Sequence, residues 1–155
     1  QTAYQMTSIL EGAIERGTGK SLRDLNLQLA GKTGTTNNNT DTWFIGFTSN
    51  LVVGVYVGHD NPKRLGKYET GSKTALPIFK EFIKKAVNNY EARPFKIPKG
   101  IKMMVIDAET GKKADFASKE TIIEAYKKEK IENQTFSSNY KNNSNKFKKN
   151  ILKFY

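Results

Sequence analysis

The chain opens with apolar residues at a helical period. Tyr4, Met6, Ile9, Leu10, Ala13 and Ile14 recur at near-helical spacing and Gly17 is a natural stop, so a helix is predicted over about residues 2–16. Residues 17–26, "GTGKSLRDLN", form a connection with room for a short helical turn. "LQLAGKTGTT" predicts a strand, and "NNNTD" predicts a loop because consecutive asparagines favour turns. Two runs rich in aromatic and β-branched residues, Thr42–Thr48 and Leu51–Gly58, then flank Ser49 and Asn50 and predict a β-hairpin. Both runs are almost continuously apolar, so both faces of this hairpin are expected to be covered.

A polar loop, residues 61–74, leads into "ALPIFKEFIKKAVNNY". This is an amphipathic helix, with Ile78, Phe79, Phe82, Ile83, Ala86 and Val87 on the expected inner face. Thr74 suits the N-cap, and Pro77 suits the first turn. "IKMMVIDAETGKKAD" predicts a strand and a turn, and "SKETIIEAYKKEK" is expected to form a short helix. Little order is expected after about Asn133. The fold class is therefore α+β: an antiparallel sheet of the Lys-Thr-Gly strand and a hairpin, covered by helices. Three segments are expected, at 1–92, 93–120 and 121–155, the last being a Lys/Asn-rich tail without stable structure.

Composition changes this picture at one end. The formal charge is +11, and the residues after Tyr126 carry eight lysines against two glutamates. The positive charge is thus largely a tail property. A solvated tail explains it, since neither an Arg-rich nor a base-stacking aromatic pattern accompanies it, and no nucleic-acid partner is expected. With no cysteine, disulfides and thiolate metal sites are excluded. No run approaches the ~20 apolar residues that cross a bilayer as a helix. The absence of a signal peptide and the initial Gln1 suggest a piece of a longer chain.

Two chemistries compete for "AGKTGTT". A phosphate-binding loop needs glycine five positions before Gly-Lys-Ser/Thr, and a helix after it. Position 26 is Asn26, and "GTTNNNTD" does not open a helix. The Gly19–Ser21 triplet fails likewise, with Ile14 where glycine is required. As a strand, the same residues put Thr33 and Thr35 on one side, where two hydroxyls and the nearby Lys32 ammonium can hold a carboxylate. Gly34 lets a substrate backbone lie close, an edge strand can pair with an extended peptide, and the Thr35 N–H is a candidate oxyanion donor. The alternative is a strand end whose threonines merely suit β-structure. His59, the only histidine, has no carboxylate cluster around it in sequence and is expected to be structural or solvated. Trp43 is expected to pack rather than to stack on substrate.

"YQMTSILEGAIERGTGKS", "AGKTGTTNN", "DTWFIGFTSNLVVGVYVGHDNP", "ETGSKTALPIFKEF" and "PFKIPKGI" together resemble the C-terminal part of the transpeptidase domain of class A penicillin-binding proteins, the 1A type in particular. The resemblance runs from about Thr2 to Ala114 and implies a penicillin-binding/serine β-lactamase-like fold. It implies that Lys32 supports the proton relay and the electrostatics around substrate. It further implies that Thr33 and Thr35 bind the terminal carboxylate of a D-Ala-D-Ala stem peptide or a β-lactam, beside Gly34, and that the Thr35 N–H helps form an oxyanion hole. The implied enzyme is a serine D,D-transpeptidase, with a glycosyltransferase domain and membrane anchor in class A members, at the periplasmic face of a bacterial inner membrane. No metal or cofactor is implied.

The family's nucleophile motif Ser-x-x-Lys and its Ser-x-Asn motif lie upstream of Lys-Thr-Gly, and neither precedes Lys32 here. "SNYK" and "SSN" at residues 137–141 follow it, overlap, and sit in the polar tail. The chain is thus expected to be inactive alone and to need the N-terminal portion of the same protein as partner. The alternative is a non-catalytic remnant or binding module.

Overall fold

The computed structural model describes residues 1–87 and 93–129. Their order is α1 (Thr2–Glu15), a 3-10 segment (Lys20–Leu25), β1 (Ala30–Thr35), a 3-10 turn (Asn37–Asn39), β2 (Thr42–Phe47), β3 (Val52–Val57), α2 (Ala75–Val87), β4 (Ile101–Asp107) and β5 (Thr121–Lys127). The first three strands form an antiparallel sheet in the order β1-β2-β3, and β4 and β5 form a second, two-stranded one. No described helix is long and apolar enough to cross a membrane.

The core lies on one face of the first sheet. Phe44 of β2 meets Phe79 of α2 edge to face, with ring centroids 4.7 Å apart. Leu22, Leu29, Leu76 and Ile83 close around them. The rings need a flat floor, and glycine supplies it: a Cβ at Gly46 would meet Phe79 at 2.6 Å and Phe44 at 2.7 Å. Phe44 and Phe79 are the largest fully buried side chains, so this contact contributes substantially to the fold's stability.

The predicted inner face of α2 needs correction, and the periodic apolar residues of α1 are only partly covered. α2 buries Ala75, Leu76, Phe79 and Ile83, while Ile78 and Phe82 are about half exposed. In α1, Ile14 is buried beside small Ser8 and Gly12, whereas Met6 and Ile9 face outward. The apolar band on each helix is wider than the strip its neighbours cover.

The hairpin's second face also differs from expectation. Trp43, Ile45, Val52 and Tyr56 are 42–70% exposed, so among the described residues this face is largely open. Trp43 packs on Tyr56 at 4.8 Å, and Phe47 meets Phe95 at 5.7 Å.

The segment expected to be a short helix after Ser118 is β5 instead. Ile122 and Ile123 are β-branched, and the segment pairs with β4 along its whole length, from Ile101 opposite Lys127 to Asp107 opposite Thr121. Tertiary pairing overrides the weak helical pattern. The hairpin therefore crosses residue 121, where the unstructured tail was expected to begin. Residues 130–155, including the stretch after Asn133 and the "SNYK" and "SSN" matches, lie outside the described residues.

Candidate functional site

β1 forms one edge of its sheet among the described residues, because its single partner is β2. The register sets Thr33 opposite Phe44 and Thr35 opposite Thr42. Paired residues share a face, so both threonines lie on the side of the buried core, and Lys32 and Gly34 lie on the open side with Ile45 and Trp43. Just beyond the strand, the Thr36 N–H donates to the Asp41 carbonyl at 3.0 Å. Antiparallel pairs alternate between bonded and non-bonded positions. Thr35 and Thr33 therefore occupy non-bonded positions, and their N–H and C=O groups point away from β2, toward the free edge.

Side chains gather along that edge. The Thr18 hydroxyl, from the loop after α1, lies 2.9 Å from the Thr33 hydroxyl. The Lys32 ammonium donates to the Thr33 carbonyl at 3.0 Å and lies 3.4 Å from its hydroxyl. The Thr35 hydroxyl accepts the Gly71 N–H at 3.1 Å. The structure thus brings Lys32, Thr33, Gly34 and Thr35 together with Thr18 and Gly71, which the sequence alone did not assign. In Thr18 the signal was a polar "GTGKS" loop, legible only as a connection. In Gly71 it was a lone glycine before a helix.

The end of the strand is pinned by the β1–β2 turn. Asn38 and Asn39 take positive φ, which asparagine tolerates. Asn39 then donates through its side chain to the Glu69 carbonyl at 2.8 Å, and Arg64 Nε donates to the Asn38 carbonyl at 3.0 Å. The loop of residues 61–74 is in this way tied to the turn after the Lys-Thr-Gly strand. On the open side, Tyr56 donates to Asp41 at 2.6 Å. That bond, with help from Thr40 and Thr36, holds the Asp41 carboxyl below the usual carboxylate range, against a smaller opposing effect of desolvation. The same bond pushes the Tyr56 hydroxyl up.

His59 is exposed and lies in the loop after β3. Trp43 is half exposed and rests on Tyr56, a packing contact at the rim of the open face. A separate open depression is lined by Lys20, Ser21, Arg23, Asp24 and Lys80. There Lys80 is already bonded to Asp24 at 2.7 Å and to the Ser21 carbonyl at 2.6 Å.

Comparison with known proteins places this chain in a family. Residues 1–84 match the penicillin binding protein transpeptidase domain. Penicillin-binding protein 1A of Rickettsia conorii is 47% identical over 143 residues, which is 90% of this chain and 18% of that protein. Its counterpart in Rickettsia prowazekii is 50% identical over 83% of the chain and 16% of the relative. The crystal structure of penicillin-binding protein 1A from Haemophilus influenzae superposes with a TM-score of 0.66 at 31% identity, over 76% of this chain and 19% of that one. The chain thus spans under a fifth of the length of these relatives. With more than half of its residues matching the transpeptidase domain, and with a fold shared with penicillin-binding protein 1A, the chain belongs to the penicillin-binding protein transpeptidase family.

Proposed function

We propose that this chain is the segment of a peptidoglycan D,D-transpeptidase that carries the substrate-binding wall of its active site. The observation that carries the proposal is the free edge of β1. There the backbone of Thr33 and Thr35 faces outward, beside the Lys32 ammonium and the hydroxyls of Thr18, Thr33 and Thr35. An extended stem peptide ending in D-Ala-D-Ala adds to this edge by strand pairing. Its terminal carboxylate is held by the Thr33 and Thr35 hydroxyls and the Lys32 charge, and a β-lactam carboxylate takes the same place.

In the whole enzyme a serine Oγ, deprotonated by its general base, attacks the penultimate D-Ala carbonyl carbon. The C–O bond to serine forms, and the tetrahedral oxyanion receives the Thr35 N–H as one donor. Collapse breaks the C–N bond, and the terminal D-Ala leaves with a proton on its amine. An amine from a neighbouring stem then attacks the acyl-serine, forms the cross-link and returns the proton to serine. Lys32 steadies the negative charge and the proton relay. The chain contains no Ser-x-x-Lys before Lys32, so the acylation step belongs to residues outside it. In that intact protein the site works at the periplasmic face of a bacterial inner membrane, in cell-wall synthesis.

The test uses fluorescent penicillin. The isolated 155-residue chain should take no covalent label. Substituted for the matching segment of the Rickettsia conorii protein, it should restore labelling that Lys32→Ala or the Thr33→Val/Thr35→Val pair then lowers at least about tenfold. Labelling of the isolated chain would refute the missing nucleophile. An unlabelled graft that folds would favour a non-catalytic remnant.

A further inference from the structure

We propose that Gly71 is a positioning residue for Thr35: its N–H occupies an acceptor site on the Thr35 hydroxyl, which commits that hydroxyl's proton to an anionic ligand at the free edge. The proposal rests on the transpeptidase function above and extends it to the loop before α2.

A hydroxyl has one proton and two acceptor lone pairs, and it rotates to suit its partners. Left alone, Thr35 presents a lone pair or a proton with equal ease. The Gly71 N–H at 3.1 Å narrows that freedom by occupying one of the two lone pairs, which turns the proton toward the remaining open directions. No acceptor among the described residues takes the Thr35 proton, so the proton remains for a ligand. A carboxylate accepts such a donor, and a charge-assisted bond of this kind is about twice as strong as a neutral one. A ligand whose carboxylate is masked gains less.

The position requires glycine. A Cβ at residue 71 would meet the Gly34 carbonyl oxygen at 2.6 Å and the Gly34 nitrogen at 3.2 Å, and it would collide with the Trp43 carbonyl oxygen. The backbone at Gly71 therefore lies directly on the β1–β2 ladder, one residue before Thr35. Any side chain there lifts the loop and carries the N–H away from the hydroxyl. The other side of the loop cannot yield easily. The Gly71 carbonyl accepts the Leu76 N–H at 2.8 Å in the first turn of α2. Thr74 donates to the Thr70 carbonyl through both its N–H and its hydroxyl, and its hydroxyl lies 2.5 Å from the buried Thr42 hydroxyl of β2. Thr35 is thus oriented from the core, through α2 and the 70–74 turn.

The bond itself is tested in the full chain by amide hydrogen exchange at Gly71. Thr35→Val removes the acceptor at nearly constant shape and should speed exchange at Gly71 about tenfold, while Thr35→Ser keeps the wild-type rate. Equal rates in all three proteins overturn the proposal whatever the enzyme does. The consequence is tested in the Rickettsia conorii graft, by acylation with a fluorescent penicillin and with its methyl ester. Gly71→Ala should slow acylation by the acid about tenfold or more and by the ester about twofold at most. Equal losses on both ligands would mean that Gly71 only packs, and would overturn the proposal while leaving the transpeptidase function standing. A folded wild-type graft that neither ligand acylates overturns that function, and this proposal with it.

Discussion

The two sheets of this protein are held by different forces. The β1-β2-β3 sheet is built on a ring-against-ring core, with Phe44, Phe79, Leu76 and Ile83 at 0–1% exposure. The β4–β5 sheet buries only Ile101, Ile106 and Ala125, and these at 6–7%. A two-stranded hairpin is marginal in water alone, so it depends on what it leans on. That support is α1: Gln5 donates to the Ala125 carbonyl at 2.9 Å, and Arg16 pairs with Glu124 at 2.9 Å. The first sheet carries the candidate site and lies within the residues that match the family domain; the second lies beyond them and is joined to α1 by these polar contacts as well as by its few buried apolar residues.

Breaking the core should break both. Phe79→Ala removes the ring that Phe44 packs against and should cost about 3–5 kcal/mol in urea denaturation, with amide protection lost in both sheets. Ile106→Ala should cost about 2 kcal/mol, near the low end for such truncations because the hairpin can relax. Hydrogen exchange should then accelerate in β4 and β5 while β2 stays protected. Accelerated exchange in β2 would show that the hairpin supports the core after all. Gln5→Ala should loosen only the seam, by about 1 kcal/mol, and Arg16→Ala by about 0.2–1 kcal/mol because its side chain is 41% exposed.

The smallest effect is electrostatic and belongs to the first sheet alone. Asp41 is held below its ordinary value, chiefly by the Tyr56 hydroxyl. Its contribution is present above the ordinary carboxylate value and fades as pH falls through the lowered one. Tyr56 is raised, so its contribution is complete below the ordinary tyrosine value and is lost as pH rises through the raised one. Tyr56 is exposed and Asp41 partly so, and water screens their interaction. An NMR titration should show the Asp41 carboxyl moving back up in Tyr56→Phe, with the β4–β5 resonances unaffected.

Legibility in the sequence follows the same division. The first helix, the hairpin about Ser49 and Asn50, and the strand through Lys32 were readable because their periods are strong and their ends carry turn residues. β5 was not. "TIIEAYK" holds alanine, glutamate and lysine, which favour a helix, and only its register with β4 makes it a strand. The outward positions of Ile78, Phe82, Met6 and Ile9 were hidden for a related reason: an apolar residue near a helix's inner stripe has the same spacing whether or not a neighbour reaches it.

By itself the sequence determined that Lys32 to Thr35 form a strand, that no phosphate loop is possible there, and that no Ser-x-x-Lys precedes them. Those conclusions rest on local spacing and on the residues present, which need no partner to be read. Only the tertiary structure decided that β1 is an edge among the described residues, with the Thr33 and Thr35 backbone turned outward, and that Thr18 and Gly71 reach their hydroxyls. Those contacts join residues 15 and 36 positions apart. Hydrogen bonds across such separations depend on how the core of Phe44 and Phe79 closes, and no local pattern encodes that.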